Sequence, residues 1–148
     1  MYKKLIFAMI AMLCVVTDAT AQKLRINVQG IAQPTPVAIV PFGWEGNAPR
    51  SPLDIASVIN NDLRRSGRFA PISEADMLQK PTDGANVDFD DWTILGIEAV
   101  VVGKVVETGD NAYTLQFQLF DPISRKQLVG YRMPASRGTM RAAAHRAA

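Results

Sequence analysis

Apolar and polar residues alternate strictly from Lys23 to Val28. Leu24, Ile26 and Val28 fall on one side and Lys23, Arg25 and Asn27 on the other, the period of a half-apolar extended strand. Pro34 and Pro36 break the pattern. Val37-Ala38-Ile39-Val40 is then unbroken, β-branched and ended by Pro41, which predicts a strand buried on both faces. Gly43 to Arg50 reads as a loop in which Trp44 covers the core. Ser51 is placed as helix N-cap, Pro52 at the first helical position and Asp54 near the positive helix end. Ile55, Ile59 and Leu63 recur every four residues with Val58 beside them, and Gly67 is the stop. Burial of such a stripe contributes about 1.5 to 3 kcal/mol per aliphatic side chain, so packing against a sheet is expected to hold this helix more than its caps do.

The second half repeats the strategy with more strands. Phe69 to Ile72 is a short strand, Ser73 to Met77 a helical turn, and Asp88 caps a short helix with Trp92 and Leu95 on one side and Gly96 at its end. Ala99 to Val102, continuing through Gly103 to Val106, predicts another buried strand. After a turn at Thr108 to Asn111, Tyr113, Leu115, Phe117 and Leu119 alternate with Thr114, Gln116 and Gln118. Asp121-Pro122 turns the chain again, and Leu128 to Met133 returns with Val129, Tyr131 and Met133 on a shared side. Connections this short predict an antiparallel meander. Thr139 opens a final helical segment, which ends at Ala148 before an apolar stripe is established. The predicted class is α/β, with two or three helices packed on a sheet.

The region before Lys23 bears on compartment. Lys3 and Lys4 precede an apolar run from Leu5 to Val16, and Ala19-Thr20-Ala21 follows Thr17 and Asp18. That order is a cleavable export signal, and the run falls short of the ~20 residues a bilayer span needs. Cleavage is expected between Ala21 and Gln22. Cys14 lies inside the apolar run behind Leu13, which disfavours a lipid anchor. Removing Lys3, Lys4 and Asp18 leaves 14 basic and 13 acidic residues and no cysteine, because Cys14 is the only one. The exported chain therefore depends on its core rather than on disulfides. Its near-neutral balance argues against nucleic acid as partner, and its length suits one domain. The expected organisation is a signal peptide over 1–21, a separate segment over 22–33 and the α/β domain over 34–148.

Candidate chemistry is sparse. Nucleotide-binding glycine fingerprints and the nucleophile-elbow motif of hydrolases do not occur. His145, the one histidine, is read as a solvated surface residue rather than a base. Asp88, Asp90 and Asp91 form the only dense acidic cluster, but they lack the spacing of a calcium loop, and Asp88 has a simpler task as a cap. The loop Gly43-x-x-Gly46 before a helix can hold an anion, although Ser51 is expected to occupy the amides. No catalytic, cofactor-binding or metal-binding residue is assigned.

Three stretches taken in order resemble one family. They are Ile39-Val40-Pro41-Phe42-x-Trp44, Asp62-Leu63-Arg64-x-Ser66-Gly67-x-Phe69, and Trp92-x-x-Leu95-Gly96-Ile97-x-Ala99-Val100-Val101-Val102-Gly103. Together they look like the N-terminal domain of the TolB family, from the periplasmic Tol-Pal system. The resemblance covers essentially the whole chain after the signal and continues into Tyr131 to His145. It implies a mixed sheet with packed helices, no enzymatic activity and no cofactor. It also implies bridging between TolA of the inner membrane and the outer-membrane lipoprotein Pal, for envelope integrity and constriction at division. Family members continue into a C-terminal β-propeller that carries much of the Pal surface and docks some colicins. The sequence here ends at Ala148, so the expectation is a domain cut in its last helix that keeps the TolA contact.

That contact is expected to lie in Lys23, Leu24, Arg25, Ile26, Asn27 and Val28, acting as a strand that either pairs with its own sheet or adds to a partner's. Two other readings stay open: an accessory module of similar fold that activates an envelope enzyme, and a small-anion-binding domain using the loop from Gly43 to Ser51.

Overall fold

The computed structural model describes residues 33–148. The segment Lys23–Val28 and the cleavage residues Ala19, Ala21 and Gln22 lie outside them. The chain runs β1 (Thr35–Ile39), β2 (Gly43–Glu45), α1 (Ile55–Ser66), β3 (Phe69–Pro71), α2 (Phe89–Ile94), β4 (Ala99–Gly109), β5 (Ala112–Asp121), β6 (Lys126–Ser136) and α3 (Met140–Ala147). Single 3-10 turns at Glu74–Asp76 and Gly84–Asn86 lie between β3 and α2.

These strands form one mixed sheet in the order β3-β1-β4-β5-β6. β1 pairs in parallel with β3 and β4, whereas β4, β5 and β6 form the predicted antiparallel meander. β2 continues the line of β1 along β4, with Trp44 opposite Val105. The alternation along β1 and β4 separates two cores. Val37, Ile39, Val101 and Val105 face one side, against Ile55, Ala56, Val58 and Ile59 of α1 and Met140, Ala143 and Ala144 of α3. Ala38, Val40, Val100 and Val102 face the other, against Trp92 of α2, Met77, Ile97 and Phe120. An uninterrupted apolar run in β1 is thus the signature of a strand covered on both sides. Gly103 is needed because a Cβ there would stand 2.4 Å from the Gln116 carbonyl oxygen and 2.5 Å from the Phe42 ring.

Four expectations are corrected. Asp54, not Ser51, caps α1: its carboxylate accepts from the Ser57 amide at 3.0 Å, while the Ser51 hydroxyl turns back to the Leu53 carbonyl at 2.8 Å. Pro52 therefore lies in a turn before the helix. The Gly43 loop begins as strand β2, because the edge of β4 beyond β1 offers its backbone groups there. β6 runs past Met133 through Pro134 to Ser136, which proline permits on an edge strand. Finally, α3 does present an apolar stripe, with Met140, Ala143 and Ala144 essentially inaccessible. Gly67 ends α1 as expected, in the left-handed conformation at φ 68°.

Candidate interaction surfaces

The segment assigned to partner binding enters the described domain at exposed Gln33 and Pro34. From there the backbone is gripped at once. The Thr35 amide donates to the Arg68 carbonyl at 2.9 Å, and the Glu98 amide donates to the Pro36 carbonyl at 2.9 Å. Thr35 therefore stands at the start of a central strand, between the starts of β3 and β4. Arg68 lies over the Phe69 ring beside it, at 6.0 Å from the centroid.

The loop after β2 is organised by its own residues. The Trp44 indole donates to the Ala48 carbonyl at 2.7 Å, and its ring lies 6.1 Å from that of Tyr113. Trp44 is half-buried against the α1 core, the covering role expected of it. The Asn47 amide donates to Glu107 at 2.7 Å. With Glu107 on the Asn47 amide and Asp54 on the Ser57 amide, an incoming anion meets two carboxylates at this end of the helix. This geometry disfavours the anion reading.

The acidic cluster is likewise engaged. Asp88 accepts from the Asp90 amide at 3.0 Å, Asp90 pairs with Arg125, and Asp91 accepts from Gln79 at 3.2 Å. Among the described residues no group of three His, Asp or Glu side chains is placed to hold a metal ion.

His145 departs from expectation in one respect. Its ring is partly exposed, as anticipated, but Nδ1 bonds the Asp62 carboxylate and so ties α3 to α1, and Arg65 bonds the same group. The His145 bond first, and the Arg65 bond second, hold the Asp62 carboxyl below the usual range. A depressed carboxyl contributes stability that is fully present above its unfolded value of about 3.9 and is lost as pH falls through the lower folded value. Asp62→Asn is therefore expected to be less stable than the parent at pH 6, with the two denaturation midpoints converging as pH falls below about 3.9. A gap that persists unchanged at low pH would assign the effect to packing instead.

A mixed, open sheet with helices on both faces defines the class: a two-layered-core α/β domain. The chain belongs to the TolB amino-terminal domain family, whose model matches residues 24–128. It is 41% identical to the Tol-Pal system protein TolB of Thioalkalivibrio sulfidiphilus over 145 residues, 97% of this chain and 33% of that protein. Of solved structures, TolB from Acinetobacter baumannii superposes with a TM-score of 0.63 at 28% identity, covering 78% of this chain and 27% of that one. The C-terminal domain of LpoB from Salmonella enterica shares the fold at a TM-score of 0.57 and 13% identity, over 73% of this chain and 87% of that one. The chain spans about a third of the length of the curated relative. Among the described residues no helix is long and apolar enough to cross a membrane.

Proposed function

We infer that this chain is a non-enzymatic, periplasmic protein-interaction domain of the Tol-Pal system, and that its leading segment is the contact for TolA. The observation that carries the reading is family membership over residues 24–128, which takes in the alternating segment almost from its start. The junction supports it: Gln33 and Pro34, just before β1 begins at Thr35, are exposed. A strand of this alternation adds to the exposed edge of a partner sheet through main-chain hydrogen bonds, with alternate side chains supplying specificity. In this reading the export signal over 1–21 is removed, 22–33 is the contact and 34–148 is the scaffold. The link onward to Pal, and with it envelope integrity, constriction at division and colicin import, belongs to the whole protein of which such a domain is part.

The test is isolation of the tagged protein from the periplasm. Its intact mass is expected to begin at Gln22, and it is expected to retain the C-terminal domain of TolA while leaving Pal unbound. A mass that retains Met1, or retention of Pal without TolA, would overturn the assignment.

A further inference from the structure

We propose that β6 is a second docking edge, which accepts an extended strand from another protein with acidic residues alternating with apolar ones. β6 is the last strand of the open sheet, and among the described residues nothing pairs with its outer side. At 11 residues it is long for an edge, and most of it is exposed. Long free edges are normally blunted. Here the blunting is confined to the two ends: the register shifts at Leu128, which is left out of the pairing with β5, and Pro134 lacks a donor. Val129 to Met133 between them remains available.

Rows of side chains across the sheet say what that window would accept. On the α1 face, Val105-Leu115-Met133 and Val101-Leu119-Val129 end at β6 half-buried, and Tyr131 ends the row through Phe117. Tyr131 lies 5.7 Å from the Phe117 ring yet is 60% exposed, so the apolar row stops at an open ring. On the other face the row is Lys104-Gln116-Arg132. Lys104 is neutralised by Glu45 at 2.7 Å, whereas no ion pair among the described residues involves Arg132. A strand laid along β6 would place one side chain beside Arg132 and its two neighbours on the opposite face beside Tyr131 and Met133. The complementary triplet is apolar, acidic, apolar.

Charge decides between occupants. No Asp or Glu follows Asp121, while Arg125, Lys126, Arg132, Arg137, Arg141 and Arg146 do. Pairing with β6 of a second copy would therefore set Lys126 and Arg132 against the same cations, with no carboxylate on that strand to balance them. Residues 22–33 carry Lys23 and Arg25 and no carboxylate. With Leu24 and Ile26 on the apolar face, that segment would bring a cation to Arg132. Like charges directly opposite on neighbouring strands are destabilising. A carboxylate-bearing strand from another protein is the occupant that fits.

The experiment titrates the exported chain with a short peptide alternating valine and glutamate, followed by amide chemical shifts, alongside its valine–lysine counterpart. The shifts are expected to centre on Val129 to Met133, with the valine–glutamate peptide preferred. Arg132→Gln should weaken it by about fivefold, the scale of a partly exposed ion pair, and Arg132→Glu should reverse the preference between the peptides. If the Glu variant loses its circular dichroism, the Gln variant carries the comparison. Equal binding of both peptides, shifts centred elsewhere, no saturable binding, or a concentration-dependent dimer that occupies β6 would each overturn the proposal.

Discussion

Replacing Trp92 with alanine is expected to cost about 3 to 5 kcal/mol of folding stability, a large share of the 5 to 15 kcal/mol that holds an ordinary domain. Trp92 is inaccessible to solvent at the centre of the core opposite α1, where α2 closes over Ala38, Val40, Val100 and Val102. Beyond the 3-10 turns, α2 is the main helix on that face and it has only six residues, so too little chain surrounds the site to collapse into the space. Trp92→Phe separates volume from hydrogen bonding. The indole Nε1 is buried with no acceptor, so phenylalanine removes an unsatisfied donor along with some volume. It is expected to cost much less than alanine. Urea unfolding followed by far-ultraviolet circular dichroism checks both variants. An alanine variant within about 1 kcal/mol of the parent would mean that α2 is dispensable to the core.

Elements with a hydrophobic pattern of their own were legible in the chain, and elements defined by their neighbours were not. The unbroken run Val37 to Val40, the i, i+4 stripe of α1 and the alternation of β5 each announce how many faces are buried. β2 has three residues, and only its pairing with Lys104 to Val106 makes it a strand. At α1, Ser51 and Asp54 are both good capping residues, and the choice turns on which one reaches a free amide. In α3 the stripe Met140, Ala143, Ala144 has helical spacing, but alanine is too weakly apolar to declare a buried face until β5, β6 and α1 are seen around it. The same limit hid the β6 edge. A sequence does not say which strand is outermost, so Arg132 and Tyr131 look like ordinary surface residues until Gln116 and Phe117 are found beside them. Lys23 to Val28 lie outside the described residues, and their sequence shows an alternation that names no sheet for it to join.

Deleting Gln22 to Gln33 is expected to abolish TolA binding while leaving the domain folded. The cut ends before the Thr35 amide that donates to Arg68, so the pairing of β1 with β3 and β4 is kept, as is every core residue of the two faces. Far-ultraviolet circular dichroism and the unfolding midpoint should change little. If the segment supplies the main-chain contacts, its loss should weaken binding by at least about a hundredfold, equivalent to roughly 2.7 kcal/mol. The segment is proposed to alternate between a state docked on its own sheet and a released state that binds. Apparent affinity then scales with the released fraction, so a variant that disfavours docking without touching the TolA contact would bind more tightly than the parent. A peptide of residues 22–33 alone has nothing to dock against, and it should bind TolA at least as well as the whole chain does. Peptide binding much weaker than that of the whole chain would show that the scaffold contributes directly to the interface. A deletion variant that binds like the parent would place the contact elsewhere in the domain and end the switch.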